Sequence, residues 1–166
     1  RNNLAEKNGL SMKYADKVFD IPFERSPFNT KNIGAYKQLK KIMKDEKYDI
    51  VHCHTPVGGI LARLAGRKFR KDGLRMIYTA HGFHFYDGAP KKNWIIYYPI
   101  EKFMSRYTDD LITITEEDYK LAKDRNFKGN IHHVHGVGVN TDKFVKLSEE
   151  DRQKLRVDKG YTNEFI

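Results

Sequence analysis

Three features of this sequence predict an α/β domain, a Rossmann-like parallel sheet with helices on both faces. Strand-like runs recur, "YDIVHCH", "LRMIYTAH" and "DDLITIT", the first of them compact and without the polar alternation of a half-exposed sheet. Each is followed by a stretch whose apolar residues return at helical spacing. The turns between them are short, and such alternation argues for parallel strands joined by right-handed crossovers.

The elements follow in order. "VFDIPF" (Val18 to Phe23) reads as a short strand closed by Pro22, and "RSPFNTKN" as a turn. From Asn32 to Glu46, residues Ile33, Tyr36, Leu39, Ile42 and Met43 recur as one helical face, with Lys37, Lys41 and Lys44 on another. "YDIVHCH" is a strand, followed by a helix from Val57 to Lys71 with Ile60, Leu61, Leu64 and Phe69 facing in. "LRMIYTAH" is the next strand. "GFHFYDGAPKK" is a loop too long and too aromatic for a plain connector. Asn93 to Tyr107 is a helix that Pro99 should kink. "DDLITIT" is a strand, "EEDYKLAKDRN" a helix, and "NIHHVHGVGV" a strand with a glycine exit.

Composition bounds the function. The 166 residues fit one domain and a little more, and 39% hydrophobic residues suffice for a core. With 31 Lys and Arg against 22 Asp and Glu, the net charge is +9. That surplus suits an anionic partner (phosphate, nucleic acid or an acidic membrane), although a solvated basic face has the same composition. The single cysteine, Cys53, excludes an internal disulfide and fits the cytosol. No apolar run approaches a membrane span. The beginning, "RNNLAEKNGL", has neither an initiator Met nor a signal-peptide pattern, and "LRVDKGYTNEFI" stops as an apolar run begins, so a piece of a longer protein is expected.

A parallel sheet of this kind brings the strand C-termini to one rim, where ligands bind. The predicted ends are His54-Thr55, His81-Gly82, Thr115-Glu116 and His135-Gly136, so three of four strands deliver a histidine there. His52 and His54 face one side of their strand and Cys53 the other, and no CxxC or HExxH occurs, so no metal is expected. His52 reads as a core histidine. In "TPVGG", Thr55 can cap a helix, Pro56 fits its first position, and Gly58 and Gly59 admit a close neighbour. That neighbour is an anionic or hydroxyl ligand at the helix start, or simply the sheet; both readings stand. "YTAHGFHFYDG" puts His81 at the rim, with Phe83, Phe85 and Tyr86 available to stack on sugars or enter a bilayer surface, unless the loop is covered by another part of the protein. In "TITEED", Thr115 caps and the acids complement the helix dipole. No serine has a nucleophile-elbow context. Arg63, Arg67, Arg70 and Lys71, with Lys37, Lys41, Lys44, Lys91 and Lys92, are expected to form a broad positive surface near Trp94, Tyr97 and Tyr98. It suits peripheral binding to anionic lipid, or is a solvated face.

The segments "YDIVHCHTPVGGILARLAGR", "IYTAHGFHFYDGAP", "WIIYYPIEKFMSRYTDDLITITEEDYKLAK" and "VHGVGVNTDKF" resemble the N-terminal domain of family 4 glycosyltransferases, most of all bacterial enzymes of capsular and exopolysaccharide assembly. The likeness runs from about Val18 to Phe144 and rests on the order and spacing of the motifs. It implies the N-terminal half of a GT-B fold: residues 1–144 as an acceptor-binding domain lacking its first strand, and 145–166 as a linker and the truncated start of a donor-binding domain. It further implies a retaining, metal-independent sugar transfer without cofactor, the nucleotide-sugar donor being held mainly by the second domain. His81 matches the family's cleft histidine and is the implied catalytic residue. His54, Thr55, Gly58, Gly59, Gly82, Phe83, His84 and Tyr86 would form the acceptor wall. The family's glycine-rich loop and its Glu-x7-Glu pair are not in this sequence, so the chain alone is expected to be inactive.

The leading expectation is transfer from a nucleotide sugar to a lipid-linked acceptor at the cytosolic membrane face. A GT-B enzyme with a soluble acceptor, a basic nucleic-acid-binding domain and a non-enzymatic sugar-binding fragment are the alternatives. No RRM, zinc-finger or helix-turn-helix pattern supports nucleic acid.

Overall fold

The computed structural model describes residues 14–26, 29–136 and 138–161. Its elements are α1 (Lys31–Glu46), β1 (Ile50–His54), α2 (Pro56–Gly66), β2 (Arg75–Ala80), α3 (Lys91–Met104), β3 (Asp110–Thr113), α4 (Glu116–Asp124), β4 (Asn130–His133) and α5 (Glu149–Asp158). The four strands form one parallel sheet in the order β1-β2-β3-β4, flanked by helices, in the expected α/β class. The chain divides into two units, Arg1–Gly136 and Val137–Ile166.

Strand alternation sorts the first unit. Cys53, Tyr78 and Leu111 are in register across three strands and point into the core with Met76 and Ala80. Ala62 and Ala65 of α2 and Ala122 of α4 close over them, small side chains that let the helices lie near the sheet. The opposite sheet face is more polar. There Asp110 accepts from Arg75 at 2.7 Å and lies 2.9 Å from His132 Nε2, and His52 Nε2 lies 2.8 Å from Thr79 Oγ1. The Arg75 hydrogen bond, helped by His132, holds the Asp110 carboxyl down at about 2.

Several expectations are corrected. Val18 to Phe23 is not a strand: the Phe23 N–H turns back to the Ile21 carbonyl at 2.9 Å, across Pro22, which has no N–H to give a ladder. In α1 the inward position belongs to Asn32, not to Ile33, which is 57% exposed. The Asn32 amide accepts from the Glu24 N–H and donates to the Ser26 carbonyl at 2.8 Å, pinning the preceding segment to the helix. The helix expected from Val57 to Lys71 ends at Gly66, and Phe69–Asp72 forms a separate 3-10 turn. The one expected over Asn93 to Tyr107 begins at Lys91 and tightens to 3-10 at Ser105–Tyr107. β3 and β4 end at Thr113 and His133, short of Thr115 and His135.

In the second unit, Asn140 Oδ1 accepts from the N–H groups of Asp142 and Lys143 at 3.0 Å each, which folds a turn. Ser148 then caps α5, accepting from the Asp151 N–H at 3.0 Å. The "NEFI" stretch expected to open a second sheet lies outside the described residues, as do Pro27 and Phe28 of the predicted turn.

Candidate functional site

The C-terminal ends of β1 and β2 bring His54 and His81 together: His54 Nδ1 lies 3.0 Å from His81 Nε2. The His52 ring stands 4.3 Å from that of His54, on the same strand face. His52 is exposed and bonded to Thr79, so it is a rim residue rather than the expected core histidine. Burial, with repulsion from His52 and His81 added, lowers the pKa of His54 and favours a neutral ring.

Beside this pair opens a cavity of about 690 Å³. Of the predicted site residues, His54, Thr55, Gly58, Gly82, Phe83 and His84 line it. Gly59, His81 and Tyr86 are not among its lining residues. His81 thus meets the cavity wall through its bond to His54.

The start of α2 is more constrained than its sequence suggested. Thr55 makes no side-chain cap, and its backbone has φ of 63° and ψ of 149°, a region almost reserved for glycine. The strain stands where the strand must turn sharply into a helix that opens on the cavity. A Cβ on Gly59 would lie 2.7 Å from the Tyr78 ring, so that glycine serves the approach of helix to sheet. A Cβ on Gly58 would meet only the Thr55 hydroxyl, at 2.9 Å, leaving Gly58 as the member of the pair that faces the cavity.

The aromatic loop after His81 is held from three sides. The Phe83 N–H donates to the buried Asp118 carboxylate, which also accepts from Thr115 Oγ1 at 2.8 Å. Thr115 caps α4 as expected, and Glu117 accepts from the Asp87 N–H at 3.1 Å. The Asn93 side-chain amide donates to the His84 carbonyl and the Trp94 indole to the Tyr86 carbonyl. Phe83 and Phe85 are buried, stacked on each other at 4.8 Å, so the bilayer role considered for them is excluded in this conformation; Tyr86 is exposed.

Sequence reasoning missed the group beneath the cavity. Arg63, 1% exposed, is not part of a positive surface. Its guanidinium bonds Glu101 at 2.8 Å and the Gly59 carbonyl at 3.0 Å, and it lies 4.0 Å from the Tyr78 ring centroid. Burial and the nearby Glu101 charge push the Tyr78 hydroxyl up, and burial pushes the Cys53 thiol up to about 11, so neither is a nucleophile near neutrality. The available signal was Glu101 itself, a lone acid inside the apolar run "WIIYYPIEKFM". Arg70 is also paired, with Asp109. Among the described residues no group of three or more His, Cys, Asp or Glu could hold a metal ion. What the rim offers is hydrogen-bonding imidazoles, a glycine at a helix start and aromatic walls, a set suited to hydroxyl and phosphate groups.

Comparison with known proteins gives a consistent result. A family model described as "Glycosyl transferase 4-like" matches residues 5–115. EpsD of Bacillus subtilis (strain 168), which is named as a glycosyltransferase, is 51% identical over 166 residues, covering 99% of this chain and 44% of the relative. The UDP-Gal:alpha-D-GlcNAc-diphosphoundecaprenol alpha-1,3-galactosyltransferase of Escherichia coli is 35% identical over 73% of this chain and 32% of its own length. An uncharacterized 41.2 kDa protein in the cps region of Klebsiella pneumoniae is 26% identical over 86% of this chain and 42% of its own length. The chain spans less than half the length of the curated relatives it matches.

Proposed function

This chain belongs to the glycosyl transferase 4-like family, and from that premise we propose that it is the acceptor-side half of an enzyme that moves a sugar from a nucleotide-sugar donor to a lipid-linked acceptor in exopolysaccharide or capsule assembly. The observation that carries the reading is the His54–His81 pair at the mouth of a cavity walled by a helix start and an aromatic loop. The lipid-linked acceptor is inferred from the galactosyltransferase relative, whose name specifies a diphosphoundecaprenol substrate. The enzyme works at the cytosolic face of the membrane.

In this reading His54, Thr55, Gly58, Gly82, Phe83 and His84 receive the acceptor, with Gly59 and Tyr86 supporting the wall. His81 contacts the reacting sugar or the acceptor hydroxyl. Transfer retains anomeric configuration, uses no metal and needs no cofactor besides the donor. The leaving diphosphate is stabilised by helix N-termini and basic side chains. The donor is held by a second domain beyond residues 1–144, so this chain by itself transfers nothing.

The test is an assay of a full-length protein with mixed nucleotide sugars and a lipid-linked acceptor pool, beside its His81→Ala variant. Transfer is expected from the parent, with a loss of about two orders of magnitude in the variant. Near-normal turnover in the variant removes His81 from the chemistry. Transfer to free saccharides alone replaces the lipid-linked acceptor with a soluble one, and robust transfer by the 166-residue chain refutes the division of labour.

A further inference from the structure

Helix α3 turns an apolar strip toward solvent. Ile95 is 73% exposed, Phe103 48% and Ile96 38%, and Pro99 is exposed between them. Ile95, Pro99 and Phe103 follow at intervals of four, with Ile96 alongside. At 3.6 residues per turn these four, with Lys91, Lys92 and Lys102, fill a sector of roughly 140°. Lys91 and Lys92 stand at the start of the strip and Arg106 at its end, where the Arg106 guanidinium lies 5.6 Å from the Phe103 ring; the Lys102 ammonium is turned instead to the carbonyls of Arg125 and Asn126.

The charge pattern sets this face apart. On α1 and α4 acids share the outer face with lysines, and one exposed lysine on each pairs with an acid four residues away, Lys41 with Asp45 and Lys120 with Glu116. The one acid of α3 is Glu101, which is buried and bonded to Arg63. The outward sector therefore has cations at both ends, apolar side chains in the middle and no carboxylate. That is the complement of an anionic lipid surface: phosphates for the cations and the acyl boundary for Ile95, Ile96 and Phe103. Pro99 has no N–H for the Ile95 carbonyl, a polar group best placed where water or headgroups reach it, which sets the depth at the interface.

We propose that the outward face of α3 is a membrane-contact surface that lies on an anionic bilayer at headgroup level. The helix begins at Lys91, directly after the loop whose Gly82–Phe85 stretch lines the cavity, so contact there holds the cavity rim beside the lipid headgroups. The proposal deepens the lipid-linked acceptor reading and rests on it for its purpose, but it is tested without sugar transfer.

The experiment uses co-sedimentation with vesicles of phosphatidylcholine alone and of phosphatidylcholine mixed with phosphatidylglycerol. The chain is expected to bind the mixed vesicles at least about tenfold better, with partial release at high salt. Ile95→Glu combined with Phe103→Glu is expected to cut that binding by about tenfold or more. Ile33→Glu, at the exposed Ile33 of α1, is the matched control and is expected to change it less than about twofold. Because the only cysteine is buried, Ile95→Cys accepts a polarity-sensitive fluorophore selectively, and a blue shift on mixed vesicles is expected. This labelled variant decides the matter if the double Glu variant fails to fold. Absence of binding, an equal effect of Ile33→Glu, or an unshifted label overturns the proposal. So does a dimer that the double Glu variant dissolves, which assigns the face to a second copy. None of these outcomes bears on transfer, and loss of transfer by a protein that still binds vesicles counts only against the transfer reading.

Discussion

His54 and His81, 27 residues apart in sequence, meet through Nδ1 and Nε2 at 3.0 Å, so one ring donates and the other must accept. Adding a proton to both sets two donors face to face. Burial, which favours a neutral His54, therefore favours the contact.

Stability should respond to pH accordingly. Burial lowers the His54 pKa in the native state, so the unfolded chain, with an ordinary histidine near 6.5, takes up the proton first as pH falls. The contribution is complete above that value and is lost as pH falls from it toward the depressed native value. Thermal melts between about pH 8 and about pH 5 should show Tm declining over the acid half, with a flatter profile in His54→Gln. An identical slope in the variant would remove His54 as the cause.

The Arg63–Glu101 bridge should be costly to halve. Both groups are buried, so Arg63→Ala or Glu101→Ala leaves a charge without its partner, and a loss of about 3–5 kcal/mol is expected in urea melts. Replacing both, Arg63→Met with Glu101→Leu, should recover most of it. A single variant within about 1 kcal/mol of the parent would contradict the assignment.

Gly58 and Gly59, neighbours in sequence, should differ in kind. Gly59→Ala drives a methyl against the Tyr78 ring and is expected to cost about 1–3 kcal/mol. Gly58→Ala meets only a hydroxyl and should leave the fold nearly as stable, while weakening acceptor use in a full-length enzyme. Equal destabilisation by both would reject the distinction.

Metal content gives a further check. His54 is engaged by His81, His52 by Thr79 and His132 by Asp110. Elemental analysis of the purified chain should find no stoichiometric zinc or copper. One tightly held transition metal per molecule would overturn this.

What the sequence made legible was whatever depends on local period. The buried parallel strands, the helices between them and the rim position of His54 and His81 follow from apolar runs and their endings. What it hid depends on partners far along the chain. Arg63 reads as a surface cation because its spacing matches Arg67 and Arg70; only the fold brings Glu101, 38 residues later, opposite it. Phe83 and Phe85 read as exposed because their loop is polar at both ends, while the Asp118 carboxylate that draws the loop inward belongs to another helix. Asn32 displaces Ile33 from the inner face because the segment before the helix needs its amide. Val18 to Phe23 has strand-like composition, yet the turn at Pro22 consumes the hydrogen bonding a strand would need.

The buried bridge has a mechanical side as well. Arg63 belongs to the helix whose first turn borders the cavity, and Glu101 to the helix whose outer face carries Ile95 and Phe103. The guanidinium also grips the Gly59 carbonyl, one residue from the cavity-facing Gly58. The outside of α3 is thus tied through a desolvated strut to the first turn of α2.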